Sequence, residues 1–176
     1  FISGKSLDDR IGCFILIELA KKLKNIKQEI FYVFTVQEEV GLYGAKTSVY
    51  NVNPDIAVAV DVASAMDAIR QDISCVGKGP FITVKDAEMI SNRKLNAHFE
   101  KIAKEKRIPL QLEVTDSGTT DAMYISISRS GVPATVVGVI VRNLHSTMGV
   151  ASLKDVENAI KLLEGFLRSP PKKLFY

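Results

Sequence analysis

Two adjacent carboxylates, Glu38 and Glu39, stand where the apolar run 30–36 gives way to Val40-Gly41. The run is β-branched and aromatic and of strand length, which predicts a strand ending at charge. Ligands in open α/β sheets gather at the carboxyl ends of strands. Successive strand residues face opposite sides. Strand geometry continued through the pair would therefore point one carboxylate at a metal and the other at substrate. An isolated pair of this kind is more often a solvated strand end. Its companions change the balance: Asp8-Asp9 before a helix, Asp61 after the apolar run 56–60, and His145 after a strand through Val136 and Val139. Each has a plainer role alone, helix capping for Asp8 or Asp9 and a structural role for His145. Taken together, carboxylate oxygens and an imidazole suit zinc, cobalt or manganese. Two metals sharing one carboxylate would clamp a water and a carbonyl, and an unligated carboxylate beside a ligand would supply the base. Residue types and placement do not by themselves bring the five together.

The elements that must position them alternate between helical and strand patterns. Ile11, Ile15, Leu19 and Leu23 mark one helix face, and Phe14 and Ile17 widen the apolar surface, predicting a helix buried on much of its circumference. Residues 41–50 read as a short helix. The run 56–60 reads as a strand buried on both faces and ending at Asp61. Residues 63–78 read as loop, and Gly77-Lys78-Gly79-Pro80 lacks the spacing of a phosphate loop. A strand at 81–84, a helix at 92–107 with Leu95, Phe99 and Ile102 inward, and an alternating strand at 110–114 follow. His98 lies among charged neighbours on that helix, which favours a surface role. A polar loop, 115–121, enters a helix at 122–128, and its Asp116 and Asp121 are candidates for lining a site, although N-capping explains such loops more often. Ser152-Leu153-Lys154-Asp155 resembles a capping box, and its helix carries Val156, Ile160, Leu163 and Leu167 on one face. The class is α/β, a mixed, largely parallel sheet flanked by helices.

The chain has 176 residues, enough for one domain with a real core. Lys and Arg total 23 against 20 Asp and Glu, a net charge of +3 spread along the chain, which argues against nucleic acid as a partner. Cys13 and Cys75 stand alone, so reduced cytoplasmic thiols are the default. No apolar run approaches the ~20 residues that span a bilayer. The chain opens at Phe1 and is within ten residues of a site-like motif, so it reads as the later part of a longer protein, with residues 1–169 a catalytic domain and 170–176 a tail.

In order, the sequence carries Leu7-Asp8-Asp9-Arg10-Ile11-Gly12, Glu38-Glu39-Val40-Gly41-Leu42-Tyr43-Gly44-Ala45, Val60-Asp61-Val62, Gly77-Lys78-Gly79-Pro80, Thr120-Asp121-Ala122, Ser130-Gly131-Val132-Pro133 and His145-Ser146. Over nearly its whole length it resembles the glutamyl and tetrahedral aminopeptidases, dinuclear metallopeptidases whose members also carry cellulase and endoglucanase labels. The resemblance implies a zinc-aminopeptidase-like fold with its N-terminal portion missing. It implies that Asp8 bridges two divalent metals (zinc, cobalt or manganese), with Asp9 as its unligated partner. It implies Glu38 as general base, Glu39 and His145 as ligands of one metal, and Asp61 as a ligand of the other. Thr120 and Asp121 fall in a family loop near the cleft and receive no role. The family's further ligand histidine and its inserted dimerisation domain are not in this sequence, and Val141-Arg142-Asn143 departs from an aromatic that many relatives carry near that point.

The resulting expectation is a cytoplasmic aminopeptidase that removes N-terminal residues from short peptides by a dinuclear metal-bound hydroxide. It is expected to be a homo-oligomer without nucleic-acid or membrane partners, the span 1–176 alone being inactive. One rival is an endoglucanase-type glycosidase, whose two carboxylates stand ~5–9.5 Å apart, a separation ill suited to neighbours on opposed faces. The other is a catalytically incomplete oligomerising fragment.

Overall fold

A computed structural model describes residues 1–69 and 73–171. The chain runs β1 (Ile2–Gly4), α1 (Leu7–Lys22), α2 (Tyr43–Val52), β2 (Ala57–Ser64), β3 (Phe81–Lys85), α3 (Arg93–Lys106), β4 (Gln111–Val114), α4 (Ala122–Ser126), β5 (Ala134–Arg142), β6 (Gly149–Ala151) and α5 (Leu153–Arg168). The strands form one mixed sheet in the order β1-β6-β5-β3-β4, with β2 on the other edge of β5. The β2–β5 ladder is parallel from Ala57↔Ala134 to Ser64↔Val141. The β3–β4 ladder is also parallel, while β3–β5, β5–β6 and β1–β6 are short antiparallel pairings.

β5 explains why two layers of helices are needed. Eight consecutive residues from Ala134 to Val141 are buried. Because side chains alternate across a strand, Val137, Val139 and Val141 enter a core with α1, α3 and α5, whereas Ala134, Val136 and Ile140 enter a smaller one with Ala122 of α4. On β2, Val58, Val60 and Val62 share the first core and Ala57, Ala59 and Ala63 the second. Asp61 has the parity of the second set and stands opposite Gly138. A Cβ on Gly138 would collide with the Asp61 carbonyl oxygen and the Phe81 ring, so the close approach of β2 to β5 at the acid requires glycine.

Four expectations are corrected. Residues 30–36 join no ladder among the described residues, and Phe31, Phe34 and Val36 are exposed. The local pattern is strand-like, but no described strand lies beside it. β2 continues past Asp61 to Ser64 because its register with β5 continues, so Asp61 sits within the strand rather than at its end. α1 buries Ile11, Ile15 and Leu19, whereas Phe14 and Ile17 remain exposed, because only one face meets β2 and α5. The capping box at α5 forms by half. Ser152 Oγ accepts the Asp155 N–H at 3.3 Å. The buried Asp155 carboxylate turns instead to the N–H groups of Gly77 and Gly79, at 2.6 and 3.0 Å, and anchors the glycine-rich loop.

α5 ends at Arg168, and residues 172–176 of the expected tail lie outside the described residues. His98 joins α3 to the end of α5, its Nε2 lying 2.7 Å from the Ser169 carbonyl and its ring edge-on to Phe166. No helix among the described residues is long and apolar enough to cross a membrane.

Candidate metal centre

Three turns build the site. Ser6 adopts a left-handed conformation, and Asp8 and Asp9 keep non-helical dihedrals (φ −87°, ψ 111° and φ −115°, ψ 58°), so regular helical turns begin only after them. Asp9 Oδ1 accepts the Gly12 N–H at 2.8 Å, the capping role read from sequence. Asp8 is thereby left for other partners. After residues 30–36, Gln37 turns left-handed (φ 61°), and the Glu38 carbonyl accepts N–H bonds from Gly41 and Leu42 at 3.1 and 3.0 Å. A tight turn, and not continued strand alternation, therefore separates Glu38 from Glu39. After β5, left-handed Asn143 (φ 56°) and His145 (φ 55°) fold the chain back, conformations that Asn and His tolerate better than most residues.

These turns converge. His145 Nε2 lies 2.9 Å from Asp8 Oδ2 and 3.4 Å from Glu39 Oε2. One ligand atom from each of Asp8, Glu39 and His145 falls within 4.8 Å of the others. Asp8 and Glu39 also line a cavity of about 830 Å³ together with Asp9, Glu38, Asp61 and Asp121. Asp61 and Glu38 are not in the three-residue cluster, but they share its cavity. Asp8, Glu38, Glu39 and Asp61 thus line one cavity, and His145 joins them through Asp8 and Glu39.

The electrostatics follow from crowding acids into partly buried space. Burial, then the charges of Asp61, Asp121, Glu39 and Asp8, push the Glu38 carboxyl up to about 8. Burial and Asp61 push Asp9 up to about 8 against the opposing Gly12 hydrogen bond. Burial raises Asp61 to about 7, with Asp8, Asp121 and Glu39 adding to it, although its Oδ1 accepts the Val62 N–H at 2.7 Å. Glu39 is raised by burial and by Asp8, while His145 offsets part of the rise. Repelling carboxylates on one cavity, with an imidazole against two of them, form a donor set that divalent cations fit.

Asp121 is the residue that sequence reasoning left without a role. Thr35 Oγ1 donates to its Oδ2 at 2.6 Å, and its other oxygen is buried without a hydrogen-bond partner among the described residues. Burial raises its carboxyl, and its own charge acts on both Glu38 and Asp61. The available signal was one polar residue, Thr35, inside an apolar run, with no fixed spacing to the acid 86 residues away. Arg142 makes a bidentate pair with Asp67 at 2.7–3.1 Å.

The family model for M42 glutamyl aminopeptidases matches residues 1–162. A lysyl aminopeptidase of Pyrococcus furiosus is 37% identical over 164 residues, covering 92% of this chain and 46% of its own length. A solved aminopeptidase of the archaeon Desulfurococcus kamchatkensis superposes with a TM-score of 0.91 at 36% identity, covering 95% of this chain and 49% of its own. The Pyrococcus horikoshii TET1 peptidase, described as assembling into a tetrahedron or a large octahedral shell, superposes at 0.85 with 34% identity, over 95% and 50% of the two chains. The chain spans about half the length of the curated relatives it matches.

Proposed function

The chain belongs to the M42 glutamyl aminopeptidase family, and from that membership and the acid cluster we propose that the complete protein is a metal-dependent aminopeptidase releasing N-terminal residues from short peptides. The observation that carries this reading is the convergence of Asp8, Glu39 and His145 from three separate turns beside Glu38 and Asp61. Asp8, Glu39 and His145 would hold one divalent ion. Asp8 and Asp61 would contribute to a second. Bound ions supply Lewis-acid polarisation of the scissile carbonyl and lower the pKa of water. Zinc, cobalt and manganese suit this donor set.

Glu38 is the base. Its carboxylate is free of the three-ligand cluster and shares the cavity with Asp61 and Asp121. One oxygen takes a proton from the attacking water and returns it to the leaving amine. Asp9 stays bound to Gly12 and fixes the start of α1 under Asp8.

The assembly is a homo-oligomer, as the shell-forming TET1 peptidase suggests. A cytoplasmic location is supported by Cys13 and Cys75 carrying thiols rather than a disulfide. The rival glycosidase reading needs an acid and a base placed for a sugar between them. Here Glu39 is instead engaged by His145 and Asp8. The endoglucanase names borne by some solved neighbours attach to the same family. The complete protein, loaded with zinc, cobalt or manganese, should cleave aminoacyl p-nitroanilides and leave carboxymethylcellulose untouched. Cellulose cleavage without peptidase turnover would overturn this assignment.

A further inference from the structure

His145 reaches the acid cluster from the tip of a hairpin. β5 and β6 meet through two residue pairs, Val141↔Ala151 and Arg142↔Val150. Beyond them Asn143, His145, Ser146, Thr147 and Met148 are exposed. Ser146 Oγ donates to the Asn143 carbonyl at 2.6 Å and accepts the Met148 N–H at 3.3 Å. These bonds shape the tip without tying it to another element. An imidazole on such a tip keeps its place 2.9 Å from Asp8 only if the base of the hairpin is fixed.

Two side chains fix the base, one on each face of the sheet. Leu144 packs against the core formed with α1, α3 and α5. Arg142 has the parity of Val136 and Ile140, which enter the other core, and its guanidinium grips Asp67 in the segment after β2. Nε lies 3.0 and 3.1 Å from the two Asp67 oxygens, and Nη2 lies 2.7 Å from Oδ2. A forked guanidinium–carboxylate pair fixes orientation as well as distance. The Asp67 side chain is only 12% exposed, so solvent screens this pair less than an ordinary surface pair. The Arg142 hydrogen bonds hold the Asp67 carboxyl below its ordinary value.

Asp67 is itself held from behind. Its Oδ2 also accepts the Val76 N–H at 3.2 Å. The loop that follows is anchored from two further elements. Gln111 of β4 bonds the Cys75 N–H and carbonyl at 2.8 and 3.0 Å, and Asp155 of α5 accepts the Gly77 and Gly79 N–H groups. A line of polar contacts thus runs from α5 and β4 through this loop to Asp67, Arg142 and the hairpin. Neither Asp67 nor Arg142 lines the cavities at the acid cluster, so any effect on the site is through position and not contact.

We propose that Asp67 is a positioning residue for the metal centre: through Arg142 it fixes the β5–β6 hairpin and so holds the His145 imidazole against Asp8 and Glu39. This rests on the reading of those three residues as metal ligands.

Zinc titration of the metal-free complete protein against a chromophoric chelator tests it, on the parent, Arg142→Ala, Asp67→Asn and the double variant. Each single substitution should weaken the tight site about 10–100-fold, the range for groups that orient metal ligands. The double variant should lose no more than either single, because both act through one contact. Arg142→Lys, which keeps the charge without the fork, should fall between. Arg168→Ala breaks a pair of similar exposure within α5, with Glu164, and should leave zinc affinity as in the parent. Thermal melts of the metal-free proteins identify any variant that is unfolded, and the same-shaped Asp67→Asn then carries the comparison. Parent-like zinc affinity in Arg142→Ala and Asp67→Asn, additive losses in the double variant, or an equal loss in Arg168→Ala would each overturn the proposal. A parent that binds zinc tightly without cleaving aminoacyl p-nitroanilides contradicts the peptidase reading alone, and one that binds no zinc overturns both.

Discussion

Glu38 and Glu39 are neighbours with different surroundings, and the turn at residues 37–42 makes the difference. Glu39 meets Asp8 and His145, while Glu38 lies in the field of Asp61 and Asp121. In the complete enzyme Glu38→Gln should therefore lower kcat about 10²–10⁴-fold, the range typical of a lost general base. Steady-state kinetics at fixed metal loading check this, and near-normal turnover would remove Glu38 from the role. Asp155 shows the same dependence on partners away from any chemistry. It holds two backbone N–H groups of the 77–79 loop from a buried position. Asp155→Ala leaves both donors unpaired, at a cost on the order of 3 kcal/mol in urea unfolding. The sequence pattern announced a cap at Ser152 and Asp155 but could not show that the carboxylate leaves the cap for a loop 76–78 residues earlier.

At the scale of elements, the helices were legible where one apolar face sufficed. α3 buries Leu95, Phe99 and Ile102 as their spacing predicts. α1 was read too generously, since periodicity reports apolar residues and not whether a neighbour exists to cover them. Ile15 is fully buried and Phe14 is 47% exposed. Ile15→Ala should cost ~2–5 kcal/mol by denaturant titration, whereas Phe14→Ser should stay within about 0.5 kcal/mol of the parent. Equal losses would mean that α1 is covered on both sides in solution. Residues 30–36 carry a strand's composition without a ladder, because pairing is a non-local property that no local pattern encodes. The motif order, by contrast, singled out Asp8, Glu38, Glu39, Asp61 and His145, which the fold brings to one region. Asp121 was legible as a site-lining candidate together with Asp116, and the fold separates the two: Asp121 meets Thr35 at the cavity, while Asp116 pairs with Lys85 on the surface.

The whole molecule carries a concentrated acidic interior, and its stability should record this. Asp9, Glu38 and Asp61 have folded-state values of about 8, 8 and 7 against ordinary values of 3.8, 4.5 and 3.8. A carboxyl with a raised folded pKa binds its proton more tightly when folded. Its contribution is complete below the unfolded value, near pH 4, and is lost as pH rises through 7 to 8. Metal-free protein should thus lose stability steadily from pH 5 to pH 9, with solvent screening reducing the share of the half-buried Glu38. Zinc binds the deprotonated carboxylates and should flatten that decline. Thermal melts across the range, with chelator and with zinc, read both trends. A metal-free stability that rises over the same interval would contradict the crowding described here.

The central claim is that Asp8, Glu39 and His145 form a complete ligand set while Glu38 stands outside it. Calorimetric zinc titration of the metal-free chain, run on the parent, Glu38→Gln and His145→Ala, tests it most directly. The three-ligand set leaves room for water, as in an open zinc site, whereas Asp61 has only Asp8 to share a second ion within residues 1–176. The account predicts one tight site per chain in the parent and in Glu38→Gln, a weak second site, and loss of the tight site in His145→Ala. Two equivalent tight sites in the parent, or a tight site that survives His145→Ala but not Glu38→Gln, would contradict it.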